Sequence, residues 1–179
     1  MRELNREQKE AVLYTDGPAL VLAGPGTGKT HTIASRVVYL IKEGHPARDI
    51  FVITFTNRAS SELKGRISSY LNGRGSVPFV GTFHSLGLEI IRSHLNPAPR
   101  LISTHEQSDI LRKLGIKGRT EKLLNRISYI KNTLTEPEDE INELYGKYNS
   151  YLREHNLIDL DDILTVSAGL LASSPPEPG

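Results

Sequence analysis

The residues best suited to chemistry lie in the run Ala23-Gly24-Pro25-Gly26-Thr27-Gly28-Lys29-Thr30. Glycine at 24, 26 and 28 lets the backbone curl, so that successive amide N–H groups converge on one anion. Lys29 and Thr30 then open a helical pattern, adding an ammonium and a hydroxyl to the partial positive charge of a helix N-terminus. This is the chemistry of a nucleotide phosphate loop: Lys29 reaches the β- and γ-phosphates and the Thr30 hydroxyl ligates Mg²⁺. The strict pattern has Gly where Ala23 stands, so this is an Ala-first variant. ATP and Mg²⁺ are the expected cofactors. The usual companion element, an apolar strand ending in Asp-Glu that holds the metal and polarises water, is not found in the sequence. The nearest acidic pair, Asp161-Asp162, opens a helical pattern and reads as N-terminal acids that favour the helix dipole.

A phosphate loop needs a strand before it and a helix after it. Leu20-Val21-Leu22 reads as that strand, buried, and Ile33, Val37, Leu40 and Ile41 mark one face of the helix, which Gly44 ends. Upstream, Asn5 with Gln8 three residues later suits a helix N-terminus, and the pattern runs on to Leu13. Ile50–Phe55 is a second apolar strand, Leu63, Ile67, Tyr70 and Leu71 a second core helix, and Val77–Val80 a third strand. Leu86, Leu88, Ile90, Ile91 and Leu95 belong to a further helix. Near-continuous apolar strands alternating with helices predict an α/β lobe, a parallel sheet with helices on both faces. Asn96-Pro97-Ala98-Pro99 breaks the pattern. Beyond it, a short strand at Leu101-Ile102 is followed only by helical signals. Thr104 with Gln107 and Thr135 with Glu138 read as capping boxes, and a last helix spans about Asp161 to Leu171. The expected organisation is an α/β lobe over 1–96, a helical region over 97–164, and a returning helix with a disordered Pro-rich tail over 165–179.

Composition narrows the class. The 179 residues include 15 Gly, 10 Pro and no Cys, which excludes collagen-like chains, disulfide scaffolds and thiolate metal sites. Apolar runs such as Ala19–Ala23 are too short to span a bilayer, the N-terminus carries no signal-peptide core, and a cytoplasmic location is expected. Net charge is only +1, but it is unevenly spread. From Asn57 to Arg100 six Lys/Arg face two Asp/Glu, whereas from Glu136 to Asp162 nine Asp/Glu face two basic residues. The first region can attract phosphates and the second repels them; both also suit solvated helix faces.

Four motifs stand in order along the chain: Leu4-Asn5-Arg6-Glu7-Gln8, the phosphate loop, Ile53-Thr54-Phe55-Thr56-Asn57-Arg58-Ala59 and Gly81-Thr82-Phe83-His84-Ser85-Leu86. Together they resemble the Q motif and motifs I, Ia and Ib of the UvrD/Rep/PcrA family of superfamily 1 DNA helicases. Asp159-Leu160-Asp161-Asp162-Ile163-Leu164 resembles the acidic motif near the end of that family's helical 1B insertion. The resemblance implies a RecA-like P-loop lobe, 1A, with its 1B insertion, cut before the Asp-Glu-x-Gln motif and the second lobe. It implies the ATP- and single-stranded-DNA-binding part of a 3′→5′ helicase whose remaining lobes follow in cis. By itself the piece is expected to hydrolyse almost no ATP.

By the same resemblance Gln8 reads the adenine edge, a task for which an amide's paired donor and acceptor are suited. His31 stands where many members carry Arg. Phe55, Thr56 and Asn57, and then Thr82, Phe83 and His84, are implied DNA contacts, the aromatic rings stacking on bases and the polar groups bonding phosphates. Phe55 and Phe83 also fit as core residues, with Thr56 and Ser85 as helix caps. A self-contained nucleotide- or DNA-binding module without enzymatic activity is the competing class. A small P-loop kinase leaves the Phe55 and Phe83 motifs unexplained. Oligomeric state is not encoded in any motif.

Overall fold

Residues 3–173 are described by a computed structural model. They fall into two compact units that divide between Phe83 and His84.

In the first unit each helix starts and stops where local chemistry dictates. Helix α1 (Arg6–Leu13) begins with a closed capping box: Asn5 Oδ1 accepts the Gln8 amide at 2.8 Å and Gln8 Oε1 accepts the Asn5 amide at 3.1 Å. Helix α2 (Lys29–Lys42) starts at Gly28, whose φ of +86° only glycine adopts without strain, and is followed by Gly44 at φ +97°. Strand β1 (Phe51–Ile53) leads into α3 (Asn57–Leu71), and strand β2 (Phe79–Gly81) returns parallel to β1 in the register Phe51↔Phe79, Val52↔Val80, Ile53↔Gly81. Helix α3 is the crossover that parallel pairing requires. Its buried stripe Leu63, Ile67 and Leu71 meets Ala34, Val37 and Val38 of α2 and Val52 of β1 in one core. Helix α1 packs on α2, with Val12 buried.

One expected element is not formed. Leu20-Val21-Leu22 forms no strand and has no ladder partner among the described residues. Leu20 and Leu22 are each 87% exposed. A strand needs a neighbour for its N–H and C=O groups, and β1 and β2 pair only with each other. The observed fold is therefore mixed α/β with small parallel sheets.

The second unit holds α4 (Phe83–His94) from His84 onward, β3 (Arg100–Leu101), α5 (Thr104–Lys113), α6 (Glu121–Thr133), α7 (Asp139–Glu154), β4 (Leu157–Ile158) and α8 (Asp162–Ser173). Its main core joins Ile110 and Leu111 of α5, Leu124, Ile127 and Ile130 of α6, and Ile141, Tyr148 and Leu152 of α7. A second cluster, Ile91, Ile158 and Ile163, ties α4 to β4 and α8. Helices α4 and α8 approach closely at Gly87, where an added Cβ would lie 2.7 Å from Ile163 Cγ2 and 3.2 Å from the Ile163 carbonyl oxygen. That packing places α4 with the helical unit, so the Asn96–Pro99 break lies inside the second unit.

Three local expectations are corrected here. Strand β4 is a second strand where helices alone were expected; it pairs parallel with β3, Arg100↔Leu157 and Leu101↔Ile158. Two-residue strands leave too short an apolar run to be seen in sequence. The capping box of α5 is formed by Ser103 and Glu106, one residue earlier than Thr104 and Gln107. No box forms at Thr135 and Glu138, because α7 starts at Asp139 and the Glu138 carboxylate pairs with Arg126. The Pro-rich tail expected at the C-terminus lies outside the described residues beyond Ser173. No helix among the described residues is long and apolar enough to cross a membrane.

Candidate nucleotide and nucleic-acid sites

The phosphate loop takes its shape from its glycines and from its own side chains. Gly26 and Gly28 sit at φ +74° and +86°. Thr27 Oγ1 donates to the Gly24 carbonyl at 2.8 Å, closing the loop on itself. Lys29 Nζ donates to the carbonyls of Ala23 (3.2 Å) and Gly24 (2.7 Å), so the ammonium lies over the loop it follows. Ala23, Pro25 and Lys29 are exposed, and Thr30, in the first turn of α2, is half-buried. The first turn of a helix keeps unpaired N–H groups that suit an anion.

Gln8 is brought to this loop from 19 residues upstream of Thr27. Its Nε2 donates to the Thr27 carbonyl at 3.0 Å while its Oε1 holds the capping box. An amide has two N–H groups and two oxygen lone pairs, so one of each remains for a ligand. A Cβ at Gly28 would also lie 2.9 Å from Gln8 Nε2, so a larger residue there would displace the Gln8 amide from the loop. A cleft of about 350 Å³ opens between α1, the loop and α2, lined by Gln8, Ala11, Leu22, Lys29, Ile33 and Arg36 among others. A larger groove of about 630 Å³ runs along α7, but it is shallow and contains no residue singled out by its motif.

Arg36 was missed by sequence reasoning. Its Nη1 donates to the carbonyls of Ala11 (2.9 Å), Val12 (3.3 Å) and Tyr14, the C-terminal end of α1. A cation there satisfies orphan carbonyls and opposes the helix dipole. The available signal was its position on α2, two turns after Lys29 on the same face. His31 is buried, with Nδ1 2.8 Å from Tyr70 Oη and its ring edge-on to the tyrosine, so it is a core residue joining α2 to α3.

Thr54 and Gly81, one from each of the second pair of motifs, meet at one end of the β1–β2 ladder. The Thr54 amide donates to the Gly81 carbonyl at 2.9 Å, which continues the ladder one step and sets Phe55 and Thr82 just beyond it. Thr56 caps α3, its Oγ1 accepting the Ala59 amide at 3.2 Å. Phe55 is 98% exposed and Phe83 63% exposed, so neither ring is in the core. Asn57 and His84 are exposed and Thr82 is half-buried.

The acidic motif near the end of the chain is occupied internally. Lys131, buried on α6, donates to Asp159 Oδ2 at 2.8 Å and to Asp162 Oδ2 at 2.6 Å. Tyr148 Oη donates to Asp159 Oδ2 at 3.0 Å and itself accepts from Gln107 at 3.0 Å. Asp159 Oδ1 accepts the Asp162 amide at 3.0 Å at the start of α8, and Asp162 lies in that helix's first turn. Burial pushes the Asp162 carboxyl above its ordinary pKa, outweighing the pull of Lys131. Burial, reinforced by Asp159, raises Tyr148 and keeps the phenol neutral. No cluster of three or more His, Asp or Glu that could hold a metal occurs among the described residues.

Residues 4–177 match the UvrD/REP helicase N-terminal domain. The chain belongs to the UvrD/Rep helicase family. It is 34% identical to the ATP-dependent DNA helicase Rep of Buchnera aphidicola (from Schizaphis graminum) over 96% of this chain and 30% of that protein. It is 32% identical to the ATP-dependent DNA helicase PcrA of Bacillus subtilis, over 96% of this chain and 26% of the relative. With Rep of Escherichia coli it shares 34% identity over 94% of this chain and 28% of the relative. The chain thus spans about 30% or less of the length of these curated relatives, and corresponds to their N-terminal part.

Proposed function

We propose that this chain is the ATP- and single-stranded-DNA-binding N-terminal part of an ATP-dependent DNA helicase that translocates 3′→5′, comprising an incomplete RecA-like 1A lobe and the helical 1B insertion. The observation that carries the reading is the convergence of Gln8, the glycine loop and Lys29 on one cleft. The loop amides and Lys29 would hold the β- and γ-phosphates, the Thr30 hydroxyl the Mg²⁺, and the unused half of the Gln8 amide the adenine edge. Lys29 must leave the Ala23 and Gly24 carbonyls to do so, exchanging neutral acceptors for a charged one. Bound Mg²⁺ supplies neutralisation of phosphate charge. Phe55 and Phe83 offer aromatic faces for stacking, and Thr56, Asn57, Thr82 and His84 polar groups for the sugar–phosphate strand. Thr56 is suited to this, because capping uses a lone pair and leaves its hydroxyl proton to donate.

Hydrolysis needs a carboxylate that polarises water and arginines that meet the γ-phosphate, and no motif of this chain supplies either. The remaining lobes, joined in cis, are the proposed source, and the whole protein is proposed to work in the cytoplasm. Titration with a fluorescent ATP analogue tests the reading. Lys29→Ala should weaken binding about tenfold or more, the size of a lost bond to a charged group. Equal affinity of wild type and variant overturns it. Multiple turnovers by this chain with oligo-dT, abolished by Lys29→Ala, would refute the inactivity of the isolated piece.

A further inference from the structure

Between Ile53, the end of β1, and Asn57, the start of α3, the backbone turns out of the sheet in three residues. Two hydroxyls hold that turn. Thr54 Oγ1 lies 3.0 Å from the Thr56 carbonyl oxygen, Ser60 Oγ lies 3.1 Å from the same oxygen, and the two hydroxyls are in hydrogen-bond contact with each other. Two protons serve three contacts. Whichever hydroxyl donates to the other, the remaining one donates to the carbonyl and the ring is closed. The Thr56 carbonyl also accepts the Ser60 amide at 3.0 Å, and Thr54 is tied to β2 through the Gly81 carbonyl at 2.9 Å. Ser60 is buried, which shields one side of the ring from competing water.

Phe55 lies inside this ring in sequence. The backbone on either side is fixed, yet its side chain is 98% exposed. A phenylalanine left in water forgoes the largest stabilisation available to its type. The same segment devotes two hydroxyls, which would otherwise be free to meet phosphates, to its own backbone.

We infer that Thr54 and Ser60 are positioning residues that hold the Phe55 ring in place for stacking on a nucleobase of single-stranded DNA. The inference rests on the proposal that Phe55 meets DNA and adds what orients it. A preset turn removes the ordering cost at binding; freeing one residue's backbone is worth about five- to thirtyfold in affinity.

Fluorescence anisotropy with the 179-residue chain tests this, using oligo-dT and an abasic oligomer of equal length. Ser60→Ala and Thr54→Val should each weaken oligo-dT binding about three- to tenfold. Both should leave the abasic strand unchanged, because a sugar–phosphate backbone offers nothing to stack on. Thr54→Ser, which keeps the hydroxyl, should bind like wild type. In a Phe55→Ala background Ser60→Ala should have no further effect. Equal weakening toward both oligomers, or additive weakening in the Phe55→Ala background, would show a merely structural role and overturn the inference. If Phe55→Ala weakens oligo-dT while Ser60→Ala and Thr54→Val do not, the positioning role fails and the DNA reading stands. If Phe55→Ala itself changes nothing, the DNA reading fails and the positioning role with it.

Discussion

Replacing Lys131 by Met isolates the energetics of the acidic motif. The ammonium is 2% exposed and bonded to two carboxylates, one of which, Asp159, is wholly buried. Methionine fills similar space but leaves those carboxylates facing each other without a cation. Removing one partner of a buried ion pair costs about 3–5 kcal/mol, far more than the about 0–1 kcal/mol of an exposed pair. For a unit of this size each kcal/mol moves the midpoint by about 4–8 °C, so a fall of at least about 12 °C is expected. Urea unfolding followed by circular dichroism at several pH values is the assay. Its pH dependence carries a sign. The Asp162 carboxyl is raised above its ordinary 3.8 by burial, so the folded state binds that proton more tightly than the unfolded chain. Its contribution therefore improves as pH falls through the raised folded pKa toward 3.8. Without Lys131 the rise is larger, and the loss caused by Lys131→Met should shrink as pH is lowered from 7 toward the ordinary carboxylate value of 3.8. A loss below about 1 kcal/mol at pH 7, or one that does not change with pH, would refute the argument that an uncompensated buried charge is the cause.

Other perturbations probe separate contacts. Gly87→Ala should destabilise the helical unit by about 1–2 kcal/mol net, since the clash with Ile163 outweighs a helix-propensity gain of about 1 kcal/mol; an unchanged thermal midpoint would contradict it. Glu106 is held down at about 2 by the Ser103 amide, then by Arg100 and the Ser103 hydroxyl. Its stabilising contribution is complete above its ordinary 4.5 and disappears as pH falls through about 2, so Glu106→Gln should flatten the acid limb of the unfolding curve in that window. Arg36→Met frees the Ala11, Val12 and Tyr14 carbonyls and loosens α1. Competition titrations should then show less preference for ATP over GTP with triphosphate affinity retained, and an unchanged preference would separate Arg36 from Gln8 placement.

The parts of the molecule legible in the sequence are those whose cause is local. The glycines of the phosphate loop, the Asn5–Gln8 capping box and the stripe Leu63, Ile67 and Leu71 each follow from residue type and spacing over a few positions. Boundaries decided by competition were less legible. Glu138 looks like a capping residue, but Arg126, twelve residues away, takes its carboxylate. Strand β4 exists only because β3, more than fifty residues earlier, comes alongside. Leu20–Leu22 illustrates the converse: an apolar run dictates a strand only where a partner edge is present to pair with it.

The candidate sites divide along the same line. Gly24 to Lys29 is contiguous, and its chemistry could be read without knowing what surrounds it. The direction of Phe55 could not, because an aromatic residue at a strand end satisfies two incompatible descriptions, core and platform, with the same letters. What separates them is a turn closed by Thr54 and Ser60, of which Thr54 reads as a strand residue and Ser60 as an ordinary helix residue. The polar groups proposed to fix an exposed ring, half-buried Thr54 and buried Ser60, are bonded to backbone. In sequence, therefore, they resemble structure rather than function, and only their joint geometry around one carbonyl links them to the ring. The same holds for Arg36, which lines the cleft and whose guanidinium also holds the three carbonyls at the end of α1. Residues that act on a ligand directly are legible by type, and residues that act through backbone become legible once the backbone they hold is seen.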